Sequence, residues 1–269
     1  MTRHQIERPE TIRVDTDERG VVRLTLNRPE IRNAFDDVLI ADLTTVLERL
    51  APDETIRALV LTGEGKAFSA GAELGWMRTA GEQSDQENFQ DAMRLAMLLK
   101  ALDAMPMPTI ARVNGAAMGG GVGLTACCDM AVAAEGAVFA LSEVKLGIVP
   151  GAISPYVLRA IGPRAARRYF LTGERFDAVT AERLGLIHQV VPAEALDGAV
   201  DALIAEILSA GPKAVRASKS LIFAVAGKEI DDLVMRDTAQ RIAQKRAGGE
   251  AKEGLSAFLE KRKPRWVGT

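Results

Sequence analysis

Residues 113–129 read VNGAAMGGGVGLTACCD, and four of the five residues from Gly119 to Gly123 are glycine. TIARVN at 109–114 reads as a strand feeding this run, after the breaker MPMPT at 105–109. The glycines themselves are expected to open a short helix, about residues 119–127. Bare backbone at that place has several uses. A dinucleotide site is one, since GVGLTA at 121–126 fits G-x-G-x-x-A and Glu143 follows at about the expected distance. That fold needs a full crossover helix and a second parallel strand in between. The chain instead offers a short helix and two short strands, DMAVAA at 129–134 and AVFAL at 137–141, around an Glu135-Gly136 turn. A phosphate loop fails because no Gly-Lys-Ser/Thr follows the glycines. Two readings remain. Glycines permit close helix–strand packing. They also expose N–H groups at a helix N-terminus, which stabilise an oxyanion when a second N–H arrives from another loop. AFSAGAE at 67–73, small-residue and also following a strand, is a candidate source of that second donor.

Outward from the glycines, the pattern is α/β, with short strands alternating with helices and then a helical tail. GVVRLTL at 20–26 alternates as a strand, and NRPE at 27–30 is a turn. Residues 35–50 carry apolar positions at helical spacing, and IRALVLTG at 56–63 is a buried strand. A Met- and Leu-rich amphipathic helix spans 86–104, and further helices are expected near 152–161 and 163–171. LGLIHQVV at 184–191 closes the mixed region, and from about 194 the pattern is helical to about 260. The expected division is 1–200 as a core carrying the site and 201–269 as a C-terminal helical region.

The chain has 269 residues, 48% apolar and 26% charged, which suits one large domain with a sizeable core. A net charge of −2 creates no long-range field for nucleic acid. The polar N-terminus lacks the apolar stretch of a signal peptide, and no apolar run approaches the roughly 18 residues of a membrane span. Cys127 and Cys128 are the only cysteines, and neighbours rarely bridge, so two reduced buried thiols in a cytoplasmic protein are expected. His4 and His188 are the only histidines and show no ligand spacing to the thiols, so no metal site is expected.

GKAFSAGAELGWM at 65–77 and VNGAAMGGGVGLTACCDMAVAAEGAVFALSEVKLGIVPG at 113–151 resemble the two hallmark segments of the enoyl-CoA hydratase/isomerase (crotonase) superfamily. The resemblance extends to LNRPE-x-x-NAF at 26–35, LTGERFDAVTAERLGLIHQVVP at 171–192 and EGLSAFLEKRKP at 253–264. It implies a crotonase-like spiral of ββα units with C-terminal helices that trimerise, as a homo-trimer or hexamer. It implies an acyl-CoA substrate whose thioester oxygen is held by the N–H groups of Ala72 and Gly120, with no cofactor beyond the CoA that arrives with the substrate. Arg32, Ala34, Ala70, Glu73, Leu74, Gly119, Gly151 and Lys261 are the implied substrate and CoA contacts, and Glu143 the catalytic acid/base.

One departure matters. Hydratases of this family typically hold one water between two glutamates. The second matches Glu143, and the first falls at Gly123. The chemistry then rests on one carboxylate, tuned toward neutrality by apolar surroundings such as Ala140, Leu141, Val144 and Leu146. Ser142, Ser154 and Tyr156 are candidates for a second anchor of the water. A single glutamate also resembles the Δ3,Δ2-enoyl-CoA isomerases. AELGWM at 72–77, GGGVGL at 119–124, ISPYVLRAIGPRAARRYFLT at 153–172 and ERFDA at 174–178 resemble the bacterial methylglutaconyl-CoA hydratases and the related isohexenylglutaconyl-CoA hydratases. Such substrates carry a distal carboxylate, for which Lys145 and Arg78 are candidate partners. A non-catalytic acyl-CoA-binding member of the fold is the third alternative.

Overall fold

The computed structural model describes residues 11–268. The N-terminal stretch judged above for a leader, including His4, lies outside the described residues. The chain opens with an antiparallel hairpin of β1 (Ile12–Thr16) and β2 (Val21–Leu26). Its turn forms because Asp17 Oδ1 accepts from the N–H groups of Arg19 and Val21. Asp36 caps α1 (Asp37–Leu50) by accepting from the Leu39 N–H, and Leu39, Ile40, Leu43, Val46 and Leu47 form its buried stripe.

Three similar units follow, each a strand, a very short strand and helical structure. The first is β3 (Ala58–Gly63), β4 (Ala67–Ser69), α2 (Leu74–Ala80) and α3 (Asp85–Asp103). The second is β5 (Thr109–Val113), β6 (Ala116–Met118) and α4 (Gly120–Cys127). The third is β7 (Met130–Ala134), β8 (Val138–Ala140), a 3₁₀ turn at Ser142–Leu146 and α5 (Ser154–Thr172). The expected break in α5 is present, since Gly162 adopts φ 71° and ψ 162° ahead of Pro163. Then come β9 (Arg175–Asp177), α6 (Ala178–Leu184), β10 (Gln189–Val191) and the helices α7 (Leu196–Ser209), α8 (Pro212–Val225), α9 (Asp232–Ala247) and α10 (Gly249–Leu259).

The first strand of each unit joins one sheet and the second joins another. One sheet has the order β1-β2-β3-β5-β7-β10 and is parallel from β2 onward. The other has the order β4-β6-β8-β9, with β4, β6 and β8 parallel. This is the expected spiral of ββα units. β3 is buried on both faces: Leu59 and Leu61 enter the main core, while Ala58 and Val60 meet Leu196, Val200 and Ile204 of α7. The expected boundary at residue 200 falls inside α7. The short strands β4, β6 and β9, and the edge strand β1, were not anticipated. In β4, β6 and β9 three residues are too few for alternation to show.

Candidate functional site

β4, β6 and β8 lie side by side and point the same way, so the segments leaving their carboxyl ends emerge together. Those segments are the loop 70–73, the glycine run and the turn that carries Glu143. The first loop is held from one side by the chain at 32–35. The Ala70 N–H donates to the Arg32 carbonyl at 2.9 Å, the Phe35 N–H to Gly71 at 2.7 Å, and the Glu73 N–H to Phe35 at 2.7 Å. This parallel bridge of Phe35 with Ala72 uses the groups on either side of Ala72. The Ala72 N–H itself therefore faces away from Phe35. Gly71 makes the approach to β6 possible: its φ is +86°, and a Cβ there would lie 3.0 Å from the Met118 carbonyl oxygen.

The glycine run turns directly from β6 into α4. The Gly119 N–H donates to Ala140 at 2.9 Å, tying the ends of β6 and β8 together. Gly119 sits at φ +48°, and Gly120 is the first residue of α4, so its N–H has no carbonyl within the helix to receive it. The packing reading of these glycines holds as well. A Cβ on Gly120 would lie 3.1 Å from the Phe35 ring, and one on Gly121 would lie 2.9 Å from the Ser69 carbonyl oxygen.

Glu143 lies over this helix start. Its Oε1 is 3.0 Å from the place a Gly119 Cβ would occupy. Its Oε2 is buried with no hydrogen-bond partner. Burial raises the carboxyl's pKa above the ordinary 4.5, and a bond from its own backbone N–H opposes that only in part. A carboxyl in this state exchanges protons nearer neutrality than a solvated one. Ile148 N–H donates to the Glu143 carbonyl at 3.2 Å and fixes the turn.

The structure thus brings Ala72, Gly119, Gly120 and Glu143 together, with Arg32, Ala70, Glu73 and Leu74 on the adjoining edge. Ala34 is buried, and the exposed Leu74 begins α2. The Glu73 carboxylate caps α2, accepting from Trp76 N–H at 2.7 Å, and backbone donors at Gly75 and Trp76 hold its pKa low. Gly151 lies on the loop between the Glu143 turn and α5. Lys261 is not part of the cluster. It is exposed past the end of α10, in a tail anchored by Trp266 to Ser209 at 3.0 Å and to Arg57 at the amino end of β3. Ser154 donates to Gly151 at 2.8 Å, and Tyr156 lies under the Arg159 guanidinium at 5.6 Å. Lys145 packs its stem on Gly173, and Arg78 is exposed on α2. Of the Met-rich helix, Met93 and Met97 are exposed, while Met105, just past its end, is core. The His188 ring accepts from Ala131 N–H at 3.1 Å, a structural use, and both cysteines are buried with their pKa values raised by burial. Among the described residues no group of three or more potential ligands could hold a metal ion, and no helix is long and apolar enough to cross a membrane.

Sequence reasoning passed over two residues. Asn33 lies inside the quoted motif at 26–35 and is fully buried at φ 56°. Its side chain accepts from Arg28 N–H at 2.9 Å and donates to Glu64 at 3.0 Å and Ala67 at 2.9 Å, while its carbonyl accepts from the Ser69 hydroxyl at 2.8 Å. It locks the loop that ends at Ala72. The second is Ile153, 2% exposed, whose branched end fills the space beside Gly123.

A family model described as enoyl-CoA hydratase/isomerase matches residues 16–269. A crystal structure titled as an enoyl-CoA hydratase from Shewanella pealeana superposes with a TM-score of 0.92 at 44% identity, covering 97% of each chain. Pseudomonas aeruginosa AtuE superposes with a TM-score of 0.92 at 38% identity, covering 96% of this chain and all of that one (100%). A crotonyl-CoA hydratase from Syntrophomonas wolfei is 35% identical over 261 residues, 96% of this chain and 98% of its own. Strand ends, glycine run and buried carboxyl thus stand on a fold shared at high identity with solved relatives, and the chain belongs to the enoyl-CoA hydratase/isomerase family, the crotonase superfamily.

Proposed function

We propose that this protein adds water across the double bond of a 2-enoyl-CoA, with Glu143 as its single catalytic carboxylate. The observation that carries this reading is the Glu143 carboxyl, half-buried and unpaired at one oxygen, over the residue that precedes the free N–H of Gly120. The thioester oxygen takes hydrogen bonds from Ala72 and Gly120. As water adds, its oxygen bonds to the β-carbon and its proton passes to Glu143. The double-bond electrons move toward the thioester oxygen, where the two N–H groups meet the developing charge. Glu143 then returns the proton to the α-carbon. Each donor is worth about 2.7–4 kcal/mol by analogy with other oxyanion holes. Names carried by relatives support the hydration, crotonyl-CoA hydratase among them.

The backbone edge from Arg32 to Leu74, together with Gly151, carries the CoA portion. The acyl group is branched and 3-methylglutaconyl-like in this reading, which rests on the segment resemblances. Exposed apolar side chains on and around the C-terminal helices, Ile230, Leu233, Phe258 and Leu259, support assembly as a trimer or a pair of trimers. One observation favours the isomerase alternative. The space beside Gly123 is filled by Ile153, so a second carboxylate has no room there.

The deciding experiment offers 2-enoyl-CoA, 3-enoyl-CoA and 3-methylglutaconyl-CoA and follows the conjugated thioester absorbance. Loss of the chromophore from 2-enoyl substrates, abolished in Glu143→Gln with CoA-ester binding retained, is expected. Gain of the chromophore from 3-enoyl-CoA alone assigns isomerisation instead. Tight binding with no turnover leaves a binder.

A further inference from the structure

Ala72 and Gly120 stand beyond the strands that pair their segments, Ala72 after β4 and Gly120 after β6. Strand pairing by itself therefore does not set the gap between their N–H groups. Phe35 reaches both. Its main chain runs beside Ala72: its N–H donates to the Gly71 carbonyl at 2.7 Å, and its carbonyl accepts from the Glu73 N–H at 2.7 Å. Its ring lies against Gly120. A Cβ on Gly120 would have three ring atoms as its nearest neighbours, Cε2, Cδ2 and Cζ, at 3.1, 3.2 and 3.5 Å. Phe35 is 2% exposed and belongs to the main core. Its backbone is fixed on both sides. Before it, the Asn33 carbonyl accepts from the Ser69 hydroxyl at 2.8 Å. After it, Asp36 caps α1 and pairs with Arg28 at 2.6 Å. Further close contacts across the gap, Gly71 with Met118 and Gly121 with Ser69, fall beside the two donors rather than on them.

We infer that Phe35 is the positioning residue of the two N–H donors: its main chain fixes the Ala72 loop, its ring props the start of α4, and so it sets their spacing. This rests on the reading that Ala72 and Gly120 hold the thioester oxygen. Two donors from separate units must converge on one oxygen, and hydrogen bonds weaken steeply when distance or angle is lost. Donors aimed at a charge that develops during reaction act fully only if they are placed beforehand. A flat, stiff ring in a close-packed core passes position from one loop to the other, where a smaller or more flexible side chain would yield. The same contact gives Gly120 a second reason to be glycine. A side chain there would strike the ring, although the N–H would remain.

Gly120→Ala and Phe35→Leu, singly and together, test this. Gly120 is helical with no positive φ, so alanine suits its backbone and keeps the donor, while the new methyl lands on the ring. Each single change is expected to lower kcat on a 2-enoyl-CoA about tenfold, the effect of a donor displaced by a fraction of an ångström. KM should change little, because the pair meets charge that develops after binding. Gly120→Ala should cost clearly less once leucine has removed the ring, since the two changes act on one contact. Phe35→Met, flexible and still apolar, is carried as a second variant. A spectroscopic readout accompanies the kinetics. The thioester carbonyl stretch of 2-enoyl-CoA bound to Glu143→Gln is expected below its free value, and Phe35→Leu in that background should move it back toward that value. Leu47→Ala, buried about 15 Å along α1 from its first residue, is the control for lost packing and should lower stability without moving the stretch. An equal cost of Gly120→Ala in both backgrounds, or a stretch that Phe35→Leu leaves in place, overturns the role of Phe35 and leaves the oxyanion reading standing. A stretch at its free value in Glu143→Gln itself removes the reading on which both rest.

Discussion

Glu143 is costly to the fold and useful to the chemistry, for one reason. A carboxyl whose folded pKa lies above its unfolded 4.5 binds more protons when folded, so stability falls as pH rises from near 4.5 through the folded value. Glu143→Gln removes that penalty. The variant is expected to lose at least about 100-fold in kcat. It is also expected to unfold at a higher temperature than the wild type at pH 7, with the gap closing toward pH 4. Calorimetry at the two pH values checks this, and a wild type more stable at both would contradict the burial seen at Oε2. Asn33 shows the complementary logic. A buried amide in the left-handed region is tolerated because four hydrogen bonds over-determine it, and those bonds hold the Ala72 loop.

Among the elements, α4 matters most because of where it starts. It begins at the carboxyl end of β6, without a side-chain cap, so its first N–H groups are left for whatever enters the cleft. The first helical position is also where proline fits a helix best. Gly120→Pro thus deletes one donor at little cost to α4, although the Phe35 ring, 3.1 Å from the new Cβ, must give slightly. Turnover is expected to fall by about 10²–10³ while circular dichroism and CoA-ester binding change little. An unaffected kcat would show that the Gly120 N–H does not meet the developing charge. Gly136, whose Cβ would meet nothing within 4 Å, provides the neutral control as Gly136→Ala.

At the scale of the whole molecule, the C-terminal helices are fastened to the sheet by a buried ion pair. Lys219 of α8 donates to Asp129 at 2.6 Å and to the Met107 carbonyl at 3.2 Å, and Asp129 also accepts from the Thr109 N–H and hydroxyl at 2.8 and 3.0 Å. Lys219→Met leaves that carboxylate without its cation and should cost about 3 kcal/mol, the low end for breaking a buried pair, because Asp129 keeps some solvent contact. Adding Asp129→Asn should recover part of the loss. Equal stabilities of wild type and Lys219→Met in denaturant titration would show that the pair does not fasten α8.

The sequence alone determined the alternation of strand and helix, the break before Pro163, the glycine run at a helix start and the ordered motifs of the superfamily. Each is written in local chemistry: periodicity, proline and glycine. It also showed that position 123 lacks a carboxylate. Only the tertiary structure decided what fills that place, because Gly123 and Ile153 are distant in sequence and meet through the packing of α4 against α5. It likewise decided that β4 and β6, too short to read in one dimension, run parallel to β8, and so bring Ala72, Gly120 and Glu143 to one point. Proton affinity at Glu143 was beyond local reading for the same physical reason: desolvation depends on which side chains fold over a group, and its sequence neighbours Lys145 and Leu146 face outward.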